Sequence, residues 1–186
     1  MAIPIESLKR EHRAIEAVIR SLRETARRVG AGEAVSPDTL QLYIHFIRNF
    51  ADGSHHQKEE RILFPAMNAA GFPSDVGPVA CMLGEHEQGR AFVRRMAAAI
   101  EGLREGKPEA GAEFASAAYG YCTLLTDHIQ KEDTVLFRMA ENIVGEDRLN
   151  ALTPGFEAVE REHGAAYTAY QDWAYSLEAA PVRARG

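Results

Sequence analysis

The sequence is poor in cysteine, holds a single tryptophan and has no long apolar run. Its two cysteines, Cys81 and Cys122, stand far apart with no paired spacing. That excludes a disulfide framework and a thiolate metal cluster, and it fits a reducing compartment. Both are expected to be buried core thiols. No stretch approaches the ~18 consecutive apolar residues of a membrane span, so no membrane association is expected. The opening residues, MAIPIESLKREHRAIE, carry charge where a signal peptide has its apolar segment, which points to a cytoplasmic protein. Cations are in deficit: 21 Lys and Arg stand against 27 Asp and Glu, a net charge of −6. This balance argues against nucleic acid as a partner. The alternating apolar pattern of strands is nearly absent too, and no low-complexity segment marks a linker.

Helical periodicity is what the chain has instead, punctuated by Gly and Pro. With 186 residues, 46% of them hydrophobic, it can bury one sizeable core. The first helix is expected from Pro4 to about Val29, ended by GAGEAV. Ser36-Pro37 supplies an N-cap and a first-turn proline for a second helix reaching about Ala70. Pro65 should bend or shorten that helix, because it cannot donate to the carbonyl four residues back. A third helix is expected over about Asp75 to Arg104, a fourth over about Glu109 to Ile143, and a fifth beyond Pro154. The predicted fold is all-α, an up-down-up-down four-helix bundle with an additional C-terminal helix. One domain spans 1–180, with a flexible tail at 181–186. An oligomer is compatible with the sequence.

Two stretches carry the chemistry, HHQKEERILFP from His55 and HIQKEDTVLF from His128. Aligned on Leu63-Phe64 and Leu136-Phe137, they match His55 to His128, Lys58 to Lys131 and Glu59 to Glu132. The shared His-x-x-x-Glu puts an imidazole and a carboxylate on one helix face, one turn apart, where they can hold one cation or the carboxylate can bridge two. At ~1.5 Å per residue, His12, His55, His86 and His128 each lie roughly 26–28 Å from the same end of the bundle. A core layer of these histidines with two carboxylates is costly to bury without compensation, and a pair of metal ions supplies it. The donor set suits iron, and zinc and manganese also suit it. Ferritin-type sites use Glu-x-x-His instead, so the pattern points away from them.

Together with EHRAIE (Glu11 to Glu16) and EHEQGRAFVRRM (Glu85 to Met96), these stretches resemble the hemerythrin-like, HHE cation-binding family. The resemblance covers most of residues 4 to 143. It implies a non-haem di-iron centre with bridging carboxylates and an oxo or hydroxo bridge between two iron ions. It also implies His12, His55, His86 and His128 as terminal ligands, with Glu59 and Glu132 as bridges. Oxygen-carrying hemerythrins have a further histidine one turn along the third helix; here Arg90 follows His86 at that spacing and Met82 precedes it. The functions implied are binding or sensing of a small molecule such as O2 or NO. Redox turnover of peroxide or NO, and iron homeostasis or donation, are the alternatives, which leaves open whether the protein is an enzyme. No nucleophile or phosphate loop beside the motif supports hydrolysis.

Other residues are expected around this set. His56 is about 100° round the helix from His55 and pairs with Glu60 on a neighbouring face, at a seam or in contact with the ligands, with an additional ligand as its alternative role. His163 is expected as a surface or packing residue, with a cap over the open end of the site as its alternative role. Tyr121 is placed to line a space beside Gly89. Glu16 repeats the spacing from His12 and is expected in solvent or near the site. His45 is expected partly buried on a seam.

Overall fold

The computed structural model describes residues 2–179, whose regular structure is all helix, with no strand among them. The tail expected at 181–186 lies outside the described residues. Helix α1 spans Ile3–Gly30. Helix α2 is one continuous run over 37–69, α-helical at Pro37–Phe46, π-helical at Ile47–His56 and Glu59–Leu63, and α-helical again at Phe64–Ala69. Helix α3 spans Gly77–Arg104. Helix α4 runs over 110–144, with a π-helical turn at Glu132–Leu136 between Ala110–Lys131 and Phe137–Val144. Three further helices follow: α5 at Glu146–Asn150, α6 at Thr153–His163 and α7 at Ala165–Ala179. The single fifth helix expected from the sequence is thus divided. Gly164, at φ 54°, takes a left-handed turn that a side chain would resist, and α6 ends there. No helix among the described residues is long and apolar enough to cross a membrane.

Local chemistry accounts for the starts and bends. Ser36 caps α2 by accepting from the Asp38 N–H at 3.2 Å, and Pro37 fills the first turn. Pro65 does not end α2. The π-helical turn Glu59–Leu63 closes just ahead of it, so the strain of a missing donor is absorbed by a wider turn.

The apolar side chains form two clusters, separated along the helices. One contains Ile15, Val18 and Leu22 of α1, Ile44, Phe46 and Phe50 of α2, Val93 and Met96 of α3, and Phe114 and Cys122 of α4. The other contains Ile5 and Leu8, Leu63 and Phe64, Val79 and Met82, and Leu136 and Phe137, with Leu149 and Phe156 from α5 and α6. His12, His55, His86 and His128 fall between them on each helix, fully buried. Cys122 is buried as expected, but Cys81 is exposed, because it lies on the outer face of α3 near Glu85. His45 is likewise exposed.

Gly53 sits inside the π-helical segment that delivers His55 and His56. A Cβ there would lie 2.8 Å from the Arg48 carbonyl oxygen, a backbone atom that cannot swing aside. Gly53→Ala is therefore expected to cost about 1–3 kcal/mol, read as a lowered Tm, with the helix content of the native protein kept.

Candidate metal centre

Five imidazoles, from His12, His55, His56, His86 and His128, meet in the layer between the two apolar clusters, all buried. Each Nδ1 faces a carboxylate. His12 pairs with Asp133 at 2.8 Å, His55 with Glu11 at 2.9 Å, and His56 with Asp52 at 3.3 Å. His86 pairs with Glu60 at 2.7 Å, and His128 with Glu85 at 2.9 Å. These acids are held in turn by cations: Arg13 on Asp133, Lys58 on Glu11, Arg90 on both Asp52 and Glu60, and Lys131 on Glu85. The bond from His128, followed by Lys131, pulls Glu85 down to about 2. Burial opposes ionisation of Asp52, Glu60 and Asp133, yet their histidine and arginine partners hold all three below the usual carboxylate range. A carboxylate accepts, so each Nδ1–H donates, and a ring that is neutral then presents the Nε2 lone pair to the interior.

Those lone pairs converge. The Nε2 atoms of His12 and His55 are 3.0 Å apart, and those of His86 and His128 are 3.2 Å apart. Bare acceptors at such distances repel unless a proton or a cation stands between them. Two metal–nitrogen bonds of about 2.1 Å, meeting near a right angle, produce a separation of this size. The carboxylates of Glu59 and Glu132 complete the layer. Glu132 reaches His12 Nε2 with Oε2 at 3.2 Å and His128 Nε2 with Oε1 at 3.3 Å. Glu59 reaches His55 with Oε1 at 3.7 Å and His86 with Oε2 at 3.6 Å. Each acid therefore spans from one histidine pair to the other. All four of their oxygens, and Nε2 of His56, are buried without a hydrogen-bond partner. Such orphaned acceptors are what a resident cation would satisfy.

The donors fall into two groups able to hold an ion each. One ligand atom each from His12, His55, Glu59 and Glu132 lie within 4.8 Å of one another, as do those of His56, Glu59, His86 and His128. The six residues singled out from the sequence for metal are thus brought together. His56, placed from the sequence on a neighbouring face, is inside the cluster instead, stacked on His86 at 3.8 Å between ring centroids. The reason is the π-helical turn, which narrows the angle between successive residues so that His55 and His56 both point inward.

The remaining expectations divide. Glu60 orients His86, and Tyr121 lines a cavity of about 200 Å³ with His56, His86, Gly89 and Arg90. Glu16 is half-buried and paired with Arg13 at 3.0 Å, while His12 takes Asp133 as its acid partner. His163 caps nothing in the cluster: its Nε2 bonds the Gly53 carbonyl at 2.9 Å and it belongs to neither donor group. Asp133, Glu11, Glu85 and Asp52 were not anticipated as partners of the histidines. The signal existed as acid neighbours repeated in both halves, Glu11-His12 with Glu85-His86, and Glu59-Glu60 with Glu132-Asp133. Phe64 on His86 and Phe137 on His12 repeat the same correspondence as ring stacking.

A hemerythrin HHE cation-binding domain model matches residues 3–140. The chain belongs to the hemerythrin HHE cation-binding domain family. Uncharacterized proteins of Mycobacterium bovis and Mycobacterium tuberculosis are 27% identical to it over 158 residues, 85% of this chain and 60% of theirs. The chain thus spans less than two thirds of the length of these curated relatives. No solved structure gives a significant match. For this HHE domain, the buried His/Glu layer fits a metal site.

Without metal, the layer must carry protons. Burial lowers the affinity of His12 for a proton, but Asp133 and Glu132 outweigh it and lift the ring to about 9. Burial and the neighbouring Glu132 raise Glu59 well above the carboxylate range. Burial, then His12 and His86 respectively, push His55 and His56 far down. A raised folded pKa stabilises below the unfolded value and loses that contribution as pH rises through the folded one. His12 therefore makes the metal-free protein less stable from pH 6.5 to about 9, and Glu59 acts in the same direction. Denaturant midpoints of chelator-treated protein should fall across that window, whereas metal-loaded protein should show no such fall.

The two lysines on the acid partners are not equivalent. Lys58 is fully buried between Glu11 and Glu160, whereas the Lys131 side chain is 41% exposed beside Glu85. Lys58→Met leaves buried acids without a cation and is expected to cost about 3–5 kcal/mol. Lys131→Met should cost roughly 0–1 kcal/mol in the same unfolding measurement.

Proposed function

We propose that this HHE domain is a non-haem di-iron protein that binds or senses a small molecule of the size of O2 or NO. In this reading the chain is a four-helix bundle, up-down-up-down, with α5 to α7 added to it. His12 and His55 hold one ion, His56, His86 and His128 hold the other, and Glu59 and Glu132 bridge them. The observation that carries it is the set of four carboxylate oxygens and the His56 Nε2 buried without a partner, beside two Nε2–Nε2 approaches of 3.0 and 3.2 Å in one layer.

Bound iron would supply Lewis acidity and one-electron redox chemistry. The residues do the rest. The five Nδ1–carboxylate bonds fix the tautomer and aim of each ring. Phe64 and Phe137 cover the layer on one side, and the cavity beside His56, His86, Gly89 and Tyr121 is sized for a small molecule. That cavity lies against the group of His56, His86 and His128, so this side offers the approach for an exogenous ligand. Iron donation is a poorer reading, because every proposed ligand is buried and release would require the helices to part.

Metal analysis and absorption spectroscopy on freshly purified protein test this. Two irons per chain and a visible charge-transfer band are expected, and a well-folded protein indifferent to added iron, manganese and zinc would end the proposal. His128→Ala and Glu132→Ala should lower metal content sharply, and His56→Ala should deplete one of the two positions. In stopped-flow mixing of reduced protein with O2, a stable and reversible absorption change supports binding or sensing. Rapid catalytic consumption of peroxide moves the assignment to a redox enzyme.

A further inference from the structure

Helices α6 and α7 lie beyond the part of the chain that the family model covers, yet they reach the metal layer. The Tyr167 hydroxyl donates to Glu11 Oε1, and the other oxygen of Glu11 takes the Nδ1–H of His55 at 2.9 Å. A single carboxylate thus separates a phenol from a ring of the cluster. Glu160 offers the same phenol a second acceptor at 3.3 Å. From Tyr167, aromatic rings run outward without a gap. Phe50 packs on Tyr167 at 5.3 Å between centroids and on Tyr170 at 6.5 Å. Phe46 packs on Tyr170 at 6.1 Å and on Trp173 at 5.6 Å. Tyr167, Tyr170 and Trp173 recur every three residues, so they share one face of α7 with steps of ~4.5 Å along its axis. Tyr170 and Trp173 end in a surface groove with Leu42 and His45.

Packing alone asks only for apolar bulk, which leucine and phenylalanine supply. Here the positions on α7 hold the two side-chain types that lose an electron most readily. The innermost one already donates its proton to a carboxylate. We propose that Tyr167, Tyr170 and Trp173 form a one-electron path between the metal layer and the groove. The inference rests on the reading that the layer holds a redox-active metal. One electron passes from Tyr167 to the oxidised centre, which is reduced by one equivalent, while the O–H proton moves to Glu11 and leaves a neutral phenoxyl. An electron from Trp173, relayed by Tyr170, restores the phenol as the proton returns from Glu11. Trp173, having lost the electron, gives its ring N–H proton to solvent at the groove as a neutral indolyl radical, and a small enediol or hydroquinone-type donor returns one electron and one proton to it. The path lets the buried layer be reduced without opening it.

Trp173 is the sole tryptophan of the chain, so its radical has an unambiguous signature. Pulse radiolysis with azide radical on the full chain should generate the indolyl radical and show its conversion to a phenoxyl at a rate independent of protein concentration. The double variant Tyr167→Phe/Tyr170→Phe should lose most of that phenoxyl signal, while Tyr43→Phe, which removes the tyrosine in ring contact with Trp173, should keep it. Conversion unchanged in Tyr167→Phe/Tyr170→Phe, or lost only in Tyr43→Phe, overturns the path. In iron-loaded protein exposed to oxidant without reductant, EPR should show a tyrosyl radical that Tyr167→Phe lacks; a parent without that signal also overturns it. Circular dichroism of each variant checks the fold. Metal content measured on the same samples separates the two readings: normal iron with no conversion removes the path alone, and intact conversion in protein that takes no metal removes the di-iron assignment and, with it, the inner terminus of the path.

Discussion

The hydrogen bond from each histidine Nδ1 to an ionised carboxylate governs the rest of this molecule. It settles which nitrogen faces the acid, and so turns five Nε2 atoms inward, toward one another and toward Glu59 and Glu132. Lone pairs 3.0 and 3.2 Å apart, beside carboxylates that accept nothing, make a layer that water-free packing cannot satisfy. The layer is stable only when a cation or protons occupy it. The two apolar clusters on either side keep solvent from relieving that demand.

The layer is built twice over. Glu11, His12, His55, Lys58, Glu59 and Glu60 have counterparts in Glu85, His86, His128, Lys131, Glu132 and Asp133, with like distances for like contacts. One member breaks the correspondence. His56 matches Ile129 in the other half, so three imidazoles gather on one side and two on the other. The asymmetry follows from a backbone difference, since the π-helical segment before His55 and His56 has no counterpart ahead of His128. A second asymmetry lies in the lysines: α6 and α7 bury Lys58 with Glu160 and Tyr167, whereas Lys131 stays partly in solvent.

These additions at the C-terminus connect the interior with the surface. Glu11 is shared among His55, Lys58 and Tyr167, so any change of charge in the layer is felt at a phenol on α7. Burial and the nearby acids of Glu11 and Glu160 raise that phenol far above its ordinary range, which keeps it a donor. The family match ends at residue 140, so this outer connection lies outside it.

Helix content, the Ser36 cap and the convergence of His12, His55, Glu59, His86, His128 and Glu132 were legible in the sequence, because apolar periodicity and i, i+4 spacing fix which side chains share a helix face. His56 was not legible in the same way. Its inward position depends on a wider helical turn that Gly53 permits, and spacing counted on an ideal α-helix sends it elsewhere. The acid partners were equally hidden, because Glu11 beside His12 serves His55, and Glu85 beside His86 serves His128. The chain alone determined that imidazoles and carboxylates would be buried at one level. Only the tertiary structure decided which nitrogen faces inward and how the donors divide, since hydrogen bonds across helices, rather than residue type, orient each ring.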